Sequence, residues 1–299
     1  MKKLFIINIL LLSNLFPSVF NTELGKCNLE IYDGRIEDIP EIVDLIIIES
    51  EKLIAEFGKI KPAPFSVYIT SDMDEFHRKS NGPVVEWGIA VAKRNPDRII
   101  IKAPGISNIS FSRLNEVIIH ELNHIYMFRI PNYYSIPSWF KEGLAMSSAN
   151  EFSLSYKIEI SKSYWSNKII PLSRLNSFSN LSKNQISLAY GEAAASIESL
   201  KYYYGEKTPA KIIEVMKNGK SFIESLEYII NEEYIDFQIK FEVFIEDNFN
   251  WVFLLSSNRY LYIVLPFILI LGFIFKKYKN KLKLEQWAIE EEIDNLNEV

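Results

Sequence analysis

The sequence is most informative at two short segments, His120-Glu121-Leu122-Asn123-His124 and Trp139-Phe140-Lys141-Glu142-Gly143-Leu144-Ala145. On a helix, residues four positions apart lie one turn apart on one face, so His120 and His124 can present two imidazole nitrogens to a single ion. Glu121 lies beside that face, where its carboxylate can reach a water molecule at the metal. This pattern is typical of a zinc hydrolase, in which protein ligands hold the ion and one position stays open for water.

A site of this kind needs a third protein ligand. Glu142 lies 18 residues after His124, and the segment between Pro131 and Pro137 predicts a turn that could bring a second helix back across the first. Two alternatives stay open from these residues alone. The histidines could be hydrogen-bonded residues of a buried helix, and Glu142 could be a solvated carboxylate. The remaining histidine of the chain, His77, lies outside the motif and is expected at the surface.

The order H-E-x-x-H, about eighteen residues, then W-x-x-E-G-x-A resembles the gluzincin metallopeptidases, in particular the small peptidase MA-like domains of bacteria. The resemblance implies that His120, His124 and Glu142 bind Zn²⁺ and that Glu121 is the general base. It also implies an α+β fold: a thermolysin-like catalytic domain with an N-terminal mixed sheet and a helical C-terminal half. The motif similarity is specific within residues 120–145.

The resemblance extends to a substrate-binding strand. In gluzincins an edge strand borders the active-site cleft, and the substrate backbone adds to it as a further strand. By order in the chain, the candidate substrate-binding residues are Trp87, Gly88, Ile89 and Ala90. The aminopeptidase branch has a G-x-M-E-N sequence in this region to hold the free amine of its substrate. This chain has Glu86-Trp87-Gly88-Ile89-Ala90 instead, which favours an endopeptidase.

Tyr190 stands near the start of a predicted helix, and similar domains carry a tyrosine there. Related peptidases use a phenol to donate a hydrogen bond to the tetrahedral oxyanion, and the alternative is a tyrosine that packs this helix onto the zinc helices. Thermolysin-like members have an aspartate four residues after the glutamate ligand, where this chain has Met146. The residues considered for support of the zinc ligands are Glu116, Ser147, Ser148 and Asn150.

Composition excludes several other classes of protein. The formal charge of −5 and the pI near 5.5 argue against nucleic-acid binding. The single cysteine, Cys27, excludes an intrachain disulfide and a cysteine zinc cluster. Because Lys26 occupies the position where a lipoprotein signal has a small residue, Cys27 is expected to be an unmodified thiol.

Both ends of the chain carry apolar segments. Residues 1–22 begin with Lys2 and Lys3 and continue into an apolar run, as in a secretory signal. Residues 251–276 predict a transmembrane helix. Five lysines follow within or after it: Lys276, Lys277, Lys279, Lys281 and Lys283. The positive-inside rule then predicts a single-pass membrane protein with an extracytoplasmic catalytic domain and a cytoplasmic tail, residues 277–299.

Hydrophobic periodicity organises the region between these ends. An α/β zinc-binding subdomain is predicted at residues 28–150 and a helical subdomain at 151–250. Within the first, strands are predicted at 28–32, 65–70, 84–93 and 98–102, and helices at 39–57, 72–79, 111–128 and 138–149. Within the second, residues 151–184 are predicted to be irregular, and helices are predicted at 186–204, 209–217, 221–230 and 234–248.

These observations predict a membrane-anchored zinc metallopeptidase that hydrolyses peptide bonds of extracytoplasmic proteins or peptides. The alternative is a non-catalytic module for cell-envelope interaction or assembly that keeps the peptidase fold. The oligomeric state stays open.

Overall fold

The computed structural model describes residues 18–32, 39–80, 88–104, 110–255 and 258–297. The chain divides into two compact units, residues 1–250 and residues 251–299. The first unit contains the sheet and both halves of the predicted catalytic region, and the second is helical.

The first unit contains a five-stranded mixed sheet in the order β1-β2-β3-β5-β4. The strands are β1 (Ser18–Thr22), β2 (Gly25–Tyr32), β3 (Phe65–Thr70), β4 (Ala90–Lys93) and β5 (Arg98–Lys102). β2, β3 and β5 are parallel, whereas β1 and β4 pair antiparallel at the two edges. Ile99, Ile100 and Ile101 of β5 are all fully buried, as expected for an inner parallel strand covered on both faces. The sheet therefore leaves β4 as an edge strand.

Four helices accompany the sheet and prepare the site: α1 (Ile39–Phe57), α2 (Met73–Ser80), α3 (Phe111–Met127) and α4 (Ser138–Ser148). The backbone N–H of Arg113 donates a hydrogen bond to the Ser110 side chain, which caps the start of α3. Between α3 and α4 the chain turns through Asn132, at φ 57°, and the 3₁₀ turn Tyr133–Ser135. The predicted turn between the two motif helices is confirmed, and it lets α4 return alongside α3.

The remaining helices of the first unit are α5 (Leu154–Trp165), α6 (Lys183–Tyr204), α7 (Thr208–Lys217), α8 (Phe222–Ile230) and α9 (Tyr234–Phe249). The sheet followed by a mostly helical half confirms the predicted α+β fold. α5 was not expected, because residues 151–184 were predicted to be irregular. Its sequence lacks a clear apolar stripe because the helix buries little of its surface: only Ile160 and Ser161 are buried.

α4 and α6 pack against each other at unusually short distance. A Cβ atom placed on Gly143 would lie 2.1 Å from the carbonyl oxygen of Ala193, so the backbones approach closely only because residue 143 is glycine. The neighbouring Trp139 is buried, and its indole N–H donates a hydrogen bond to the Tyr234 hydroxyl at 3.1 Å. These contacts fix α4, which carries Glu142, within the helical half.

The prediction of a transmembrane helix at residues 251–276 is wrong. In the part of the chain that the structure describes, we find no helix with the length and apolarity needed to span a bilayer. The second unit consists of the 3₁₀ helix Val252–Leu255 and α10 (Asn258–Asn297). Because α10 begins at Asn258, residues 251–255 are not part of this helix and do not lengthen its uncharged run, residues 260–275. Those 16 residues rise about 24 Å, less than the about 30 Å of a hydrocarbon core.

The last residues of the predicted 1–22 signal segment are part of the fold. Ser18–Thr22 form β1, which pairs with β2 in the register Ser18↔Leu29 to Thr22↔Gly25. Residues 1–17 lie outside the described residues. α10 also continues through the segment predicted as a tail, as far as Asn297.

Candidate metal centre and active site

α3 and α4 bring the three predicted ligands together. The Oε2 atom of Glu142 lies 3.4 Å from Nε2 of His120 and 3.5 Å from Nε2 of His124. One ligand atom from each residue lies within 4.8 Å of the other two. Among the described residues, this is the one group of three or more such side chains with that spacing. The helix spacing and the turn therefore produce the convergence that the sequence predicted.

The distances fit a zinc ion. In a tetrahedral site with ligand bonds of about 2.0–2.2 Å, neighbouring ligand atoms lie about 3.3–3.6 Å apart. The two measured separations, 3.4 Å and 3.5 Å, fall within that range. Two imidazole nitrogens and one carboxylate oxygen are also a donor set that catalytic zinc uses, and they leave a fourth position for water.

The ligands are electrostatically coupled. Burial alone would lower the pKa of His120, but the carboxylates of Glu142 and Glu151 outweigh it and raise this pKa to about 10. Burial alone would raise the pKa of Glu142, but His124 and His120 hold it far below its usual value. In the metal-free protein a proton on His120 therefore occupies the centre of a buried charge network, and a divalent cation can replace it.

Glu121 is placed as a base would be. Its side chain is buried, and among the described residues its Oε2 atom has no hydrogen-bond partner. Burial raises its pKa, an effect that His124 and His120 oppose and Glu142 reinforces. Together with His120 it lines a cavity of 660 Å³. A carboxylate in these surroundings can accept a proton from a water molecule in the cavity.

The predicted substrate strand borders the same cavity. Gly88, Ile89 and Ala90 line it from the β4 side, and Trp87 lies outside the described residues. The backbone N–H of Lys102 donates a hydrogen bond to the carbonyl of Ile89, which continues the pairing with β5 one residue beyond the strand. As an edge strand of the described sheet, β4 is thus close to the predicted metal ligands, and its role in substrate binding stays a prediction.

Tyr190 also lines this cavity, from α6. Its ring packs edge-on against Phe178, with centroids 5.3 Å apart at 86°. The charge of Glu142, followed by burial, raises the pKa of Tyr190 well above its usual value, so the phenol keeps its proton and can donate a hydrogen bond. Its hydroxyl makes no hydrogen bond within the described part of the chain. The oxyanion role stays a prediction.

The side chains considered for support of the zinc ligands make other contacts. Glu116 forms an ion pair with Arg113 at 2.5 Å. The Ser147 hydroxyl accepts a hydrogen bond from the Lys201 ammonium, and the Ser148 hydroxyl accepts one from the Asn123 side-chain amide. Asn150 is exposed, and so is His77, as predicted. Apart from the predicted ligand Glu142, the carboxylate in contact with an imidazole is that of Glu151, whose Oε2 lies 2.8 Å from Nδ1 of His120. Sequence reasoning missed this residue.

Comparison with known proteins identifies the family of this chain. Residues 49–239, more than half of the chain, match the family described as the Peptidase MA superfamily. The chain belongs to this superfamily. The gluzincin resemblance read from the two motifs is thereby confirmed, and the metallopeptidase assignment rests on it.

Similar solved structures include M1 zinc metallopeptidases of Deinococcus radiodurans. One of them, a mutant enzyme, is 11% identical to this chain and superposes on it with a TM-score of 0.44. The matched region covers 77% of this chain and 52% of the mutant enzyme. The mutant bound to a Tyr-Ser-Ala substrate is 12% identical to this chain, with a TM-score of 0.42. The matched region covers 77% of this chain and 51% of that enzyme. This chain thus spans about half the length of those proteins. No curated protein matches the sequence.

Proposed function

We propose that this protein is a zinc-dependent endopeptidase. One observation carries the proposal: His120, His124 and Glu142 converge at separations suited to tetrahedral zinc, beside the buried carboxylate of Glu121. Structural histidines would not need a carboxylate at this distance from both Nε2 atoms, together with a second carboxylate, that of Glu121, whose Oε2 atom has no hydrogen-bond partner among the described residues.

Zinc bound by these three residues would supply a Lewis acid for an attacking water and for the carbonyl of the scissile peptide bond. Glu121 takes a proton from that water as the new C–O bond forms. It then gives the proton to the leaving amine as the C–N bond breaks. Tyr190 donates a hydrogen bond to the oxygen on which negative charge develops. The chain thus provides a ligand set, one base that later acts as an acid, and one neutral donor.

The cleft supports an extended substrate. β4 is an edge strand beside the cavity, so a peptide backbone can pair with it and pass the metal ligands without beginning there. The G-x-M-E-N sequence that would hold a free amine is replaced around Gly88, Ile89 and Ala90. Both features support cleavage within a chain over removal of N-terminal residues.

The test compares the wild type with Glu121→Gln and with His77→Gln as a matched control at the surface. We expect about one zinc per chain by elemental analysis in all three proteins. We expect Glu121→Gln to lower kcat/KM by about 10²–10⁴-fold, since this is the usual contribution of a general base. The substrates are fluorogenic peptides with an acetylated N-terminus. Full activity of Glu121→Gln would refute the role of this base, and a wild type that binds no zinc would refute the proposed enzyme.

The same peptides separate the two kinds of peptidase. An endopeptidase cleaves acetylated peptides, whereas an enzyme that needs a free amine cleaves only their unblocked counterparts. Cleavage confined to the unblocked set would show the endopeptidase assignment to be wrong while leaving the zinc hydrolase intact.

We also propose that the enzyme acts outside the cytoplasm. The support is the sequence pattern at the start of the chain, with Lys2 and Lys3 followed by an apolar run, as in a secretory signal. A fusion of residues 1–250 to a reporter that is active only after export tests this. An inactive reporter on a fusion that is stably produced would contradict it.

A further inference from the structure

The carboxylate of Glu151 contacts the outer nitrogen of a predicted zinc ligand. Its Oε2 atom lies 2.8 Å from Nδ1 of His120, on the side of the ring opposite to the Nε2 atom that faces Glu142. A carboxylate can only accept a hydrogen bond, so Nδ1 of His120 is the donor. That contact assigns the proton to Nδ1 and leaves the lone pair of Nε2 free for a metal.

The end of α4 places Glu151 there. Asn150 adopts the left-handed conformation at φ 54°, and the backbone N–H of Glu151 then donates to the carbonyl of Met146 at 2.9 Å. This helix end turns the chain back toward α3. The helix that supplies the ligand Glu142 therefore also delivers, just beyond its end, a carboxylate to the ligand His120.

Arg113 holds the other side of the Glu151 carboxylate. Its Nη1 atom lies 3.0 Å from Oε1 of Glu151 and 2.5 Å from Oε2 of Glu116. The Glu151 side chain is 7% exposed, and both of its oxygens are bonded. Arg113 and His120 lie seven residues apart on α3, so one helix carries both side chains that bond the Glu151 carboxylate. The carboxylate is thereby fixed in position.

We propose that Glu151 is a positioning residue that sets the tautomer and orientation of His120 for zinc, and that Arg113 fixes Glu151 for this task. The inference rests on the proposed zinc site and adds to it the group that tunes one ligand. Removal of such a hydrogen-bond partner lowers metal affinity by about 10–100-fold in characterised zinc sites.

The test measures zinc affinity of the purified full-length chain by competition with a chelator. Glu151→Gln keeps the size and one acceptor oxygen, and Glu151→Ala removes both, so we expect losses of about tenfold and about a hundredfold. Arg113→Gln should weaken binding by less than Glu151→Ala. Glu159→Gln is the control, because Glu159 is a neighbouring carboxylate that bonds Ser187 at 2.5 Å and has no contact with an imidazole among those described.

Two readouts separate positioning from a merely structural role. In the zinc-loaded wild type, ¹⁵N NMR should show His120 protonated at Nδ1, and Glu151→Ala should shift this signal while Glu159→Gln leaves it in place. Circular dichroism of the metal-free variants checks that they fold, and Glu151→Gln serves alone if the alanine variant does not.

The outcomes distinguish this inference from the zinc site itself. If wild-type protein binds zinc but both Glu151 variants bind it within twofold of wild type, Glu151 has no positioning role. The same holds if Glu159→Gln loses as much affinity as Glu151→Gln. A wild type without zinc binding would refute the proposed function before this question arises.

Discussion

Gly143→Ala should separate the two helices that frame the active site. The new Cβ atom would lie 2.1 Å from the carbonyl oxygen of Ala193 and 2.8 Å from Cγ1 of Ile197. Ordinary contact begins near 3.4 Å, so the backbones of α4 and α6 must separate by about 1.3 Å. Overpacking of this kind costs about 1–3 kcal/mol, and replacement of a helical glycine returns about 0.5–1 kcal/mol. The difference between these ranges is a net loss of about 0–2.5 kcal/mol in the free energy of unfolding, with a midpoint of about 1.3 kcal/mol.

The displacement also affects catalysis, because Glu142 and Tyr190 lie on the two helices that move apart. A shift of about 1 Å in a catalytic group can lower the rate about a hundredfold, so kcat/KM should fall by about that factor. Urea unfolding followed by circular dichroism measures stability, and a fluorogenic peptide assay measures kcat/KM. Gly272→Ala is the matched control. Gly272 is also helical, but nothing lies within 4 Å of its Cβ position, so this variant should be neutral or slightly stabilised.

A wild-type free energy of unfolding for Gly143→Ala would show that the close approach of α4 and α6 is not required for the fold. Reduced stability with unchanged kcat/KM would refute the link from this contact to the spacing of Glu142 and Tyr190. A loss of equal size in Gly272→Ala, where the added Cβ meets no atom within 4 Å, would mean that the effect does not come from the contact between α4 and α6.

Three further outcomes follow from the titratable groups. Burial raises the pKa of Cys27 to about 12, so an aromatic disulfide reagent should modify this thiol only when the protein unfolds, and rapid reaction of the native protein would contradict its burial. The pKa of His120 is raised to about 10, so calorimetry near pH 7 should detect the release of about one proton for each zinc ion bound. The apparent zinc affinity should therefore rise with pH, and an affinity independent of pH would contradict this. Burial raises the pKa of Glu192 well above its usual value, so its contribution to stability is complete below the unfolded pKa and is lost as pH rises through the folded one. Glu192→Gln keeps an acceptor for the Ile170 N–H and should gain stability relative to wild type at pH 8 but not at pH 4, as measured by urea unfolding.

The sequence predicts the convergence of His120, His124 and Glu142 well because local rules dominate there. His120 and His124 share a helix face by their spacing alone, and the turn between Pro131 and Pro137 is short enough to leave α4 few directions. Neighbouring residues in the sequence also determine the bounds of α1 and β3, since Gly58 ends the helix and Pro64 precedes the strand. Where such start and stop signals are weak, as in residues 154–165, a helix was missed because its sequence has no clear apolar stripe.

The wrong transmembrane assignment has a different cause. Composition shows how apolar a segment is, but it does not show where a helix begins. The estimate of sufficient length included residues from Trp251 onward, and the structure instead places a 3₁₀ helix at Val252–Leu255 and starts α10 at Asn258. The sequence gives a maximum length for such a helix, and the structure determines how much of that length is used.

Glu151 shows the limit of reasoning from helical spacing alone. The resemblance to thermolysin-like members pointed to the position of Met146, one helical turn after Glu142, for a side chain that supports a zinc ligand. The end of a helix can direct a side chain where a position inside the helix cannot. The left-handed Asn150 reverses the chain after α4, and the next residue, Glu151, points back at His120 on α3. Asparagine is among the residues that adopt this conformation most readily, so its presence eight residues after Glu142 was a usable signal. In chains with H-E-x-x-H and a second-helix glutamate, an acidic residue directly after such an asparagine is therefore a candidate partner for the first histidine. That rule would fail if the zinc affinity of this chain proved indifferent to Glu151.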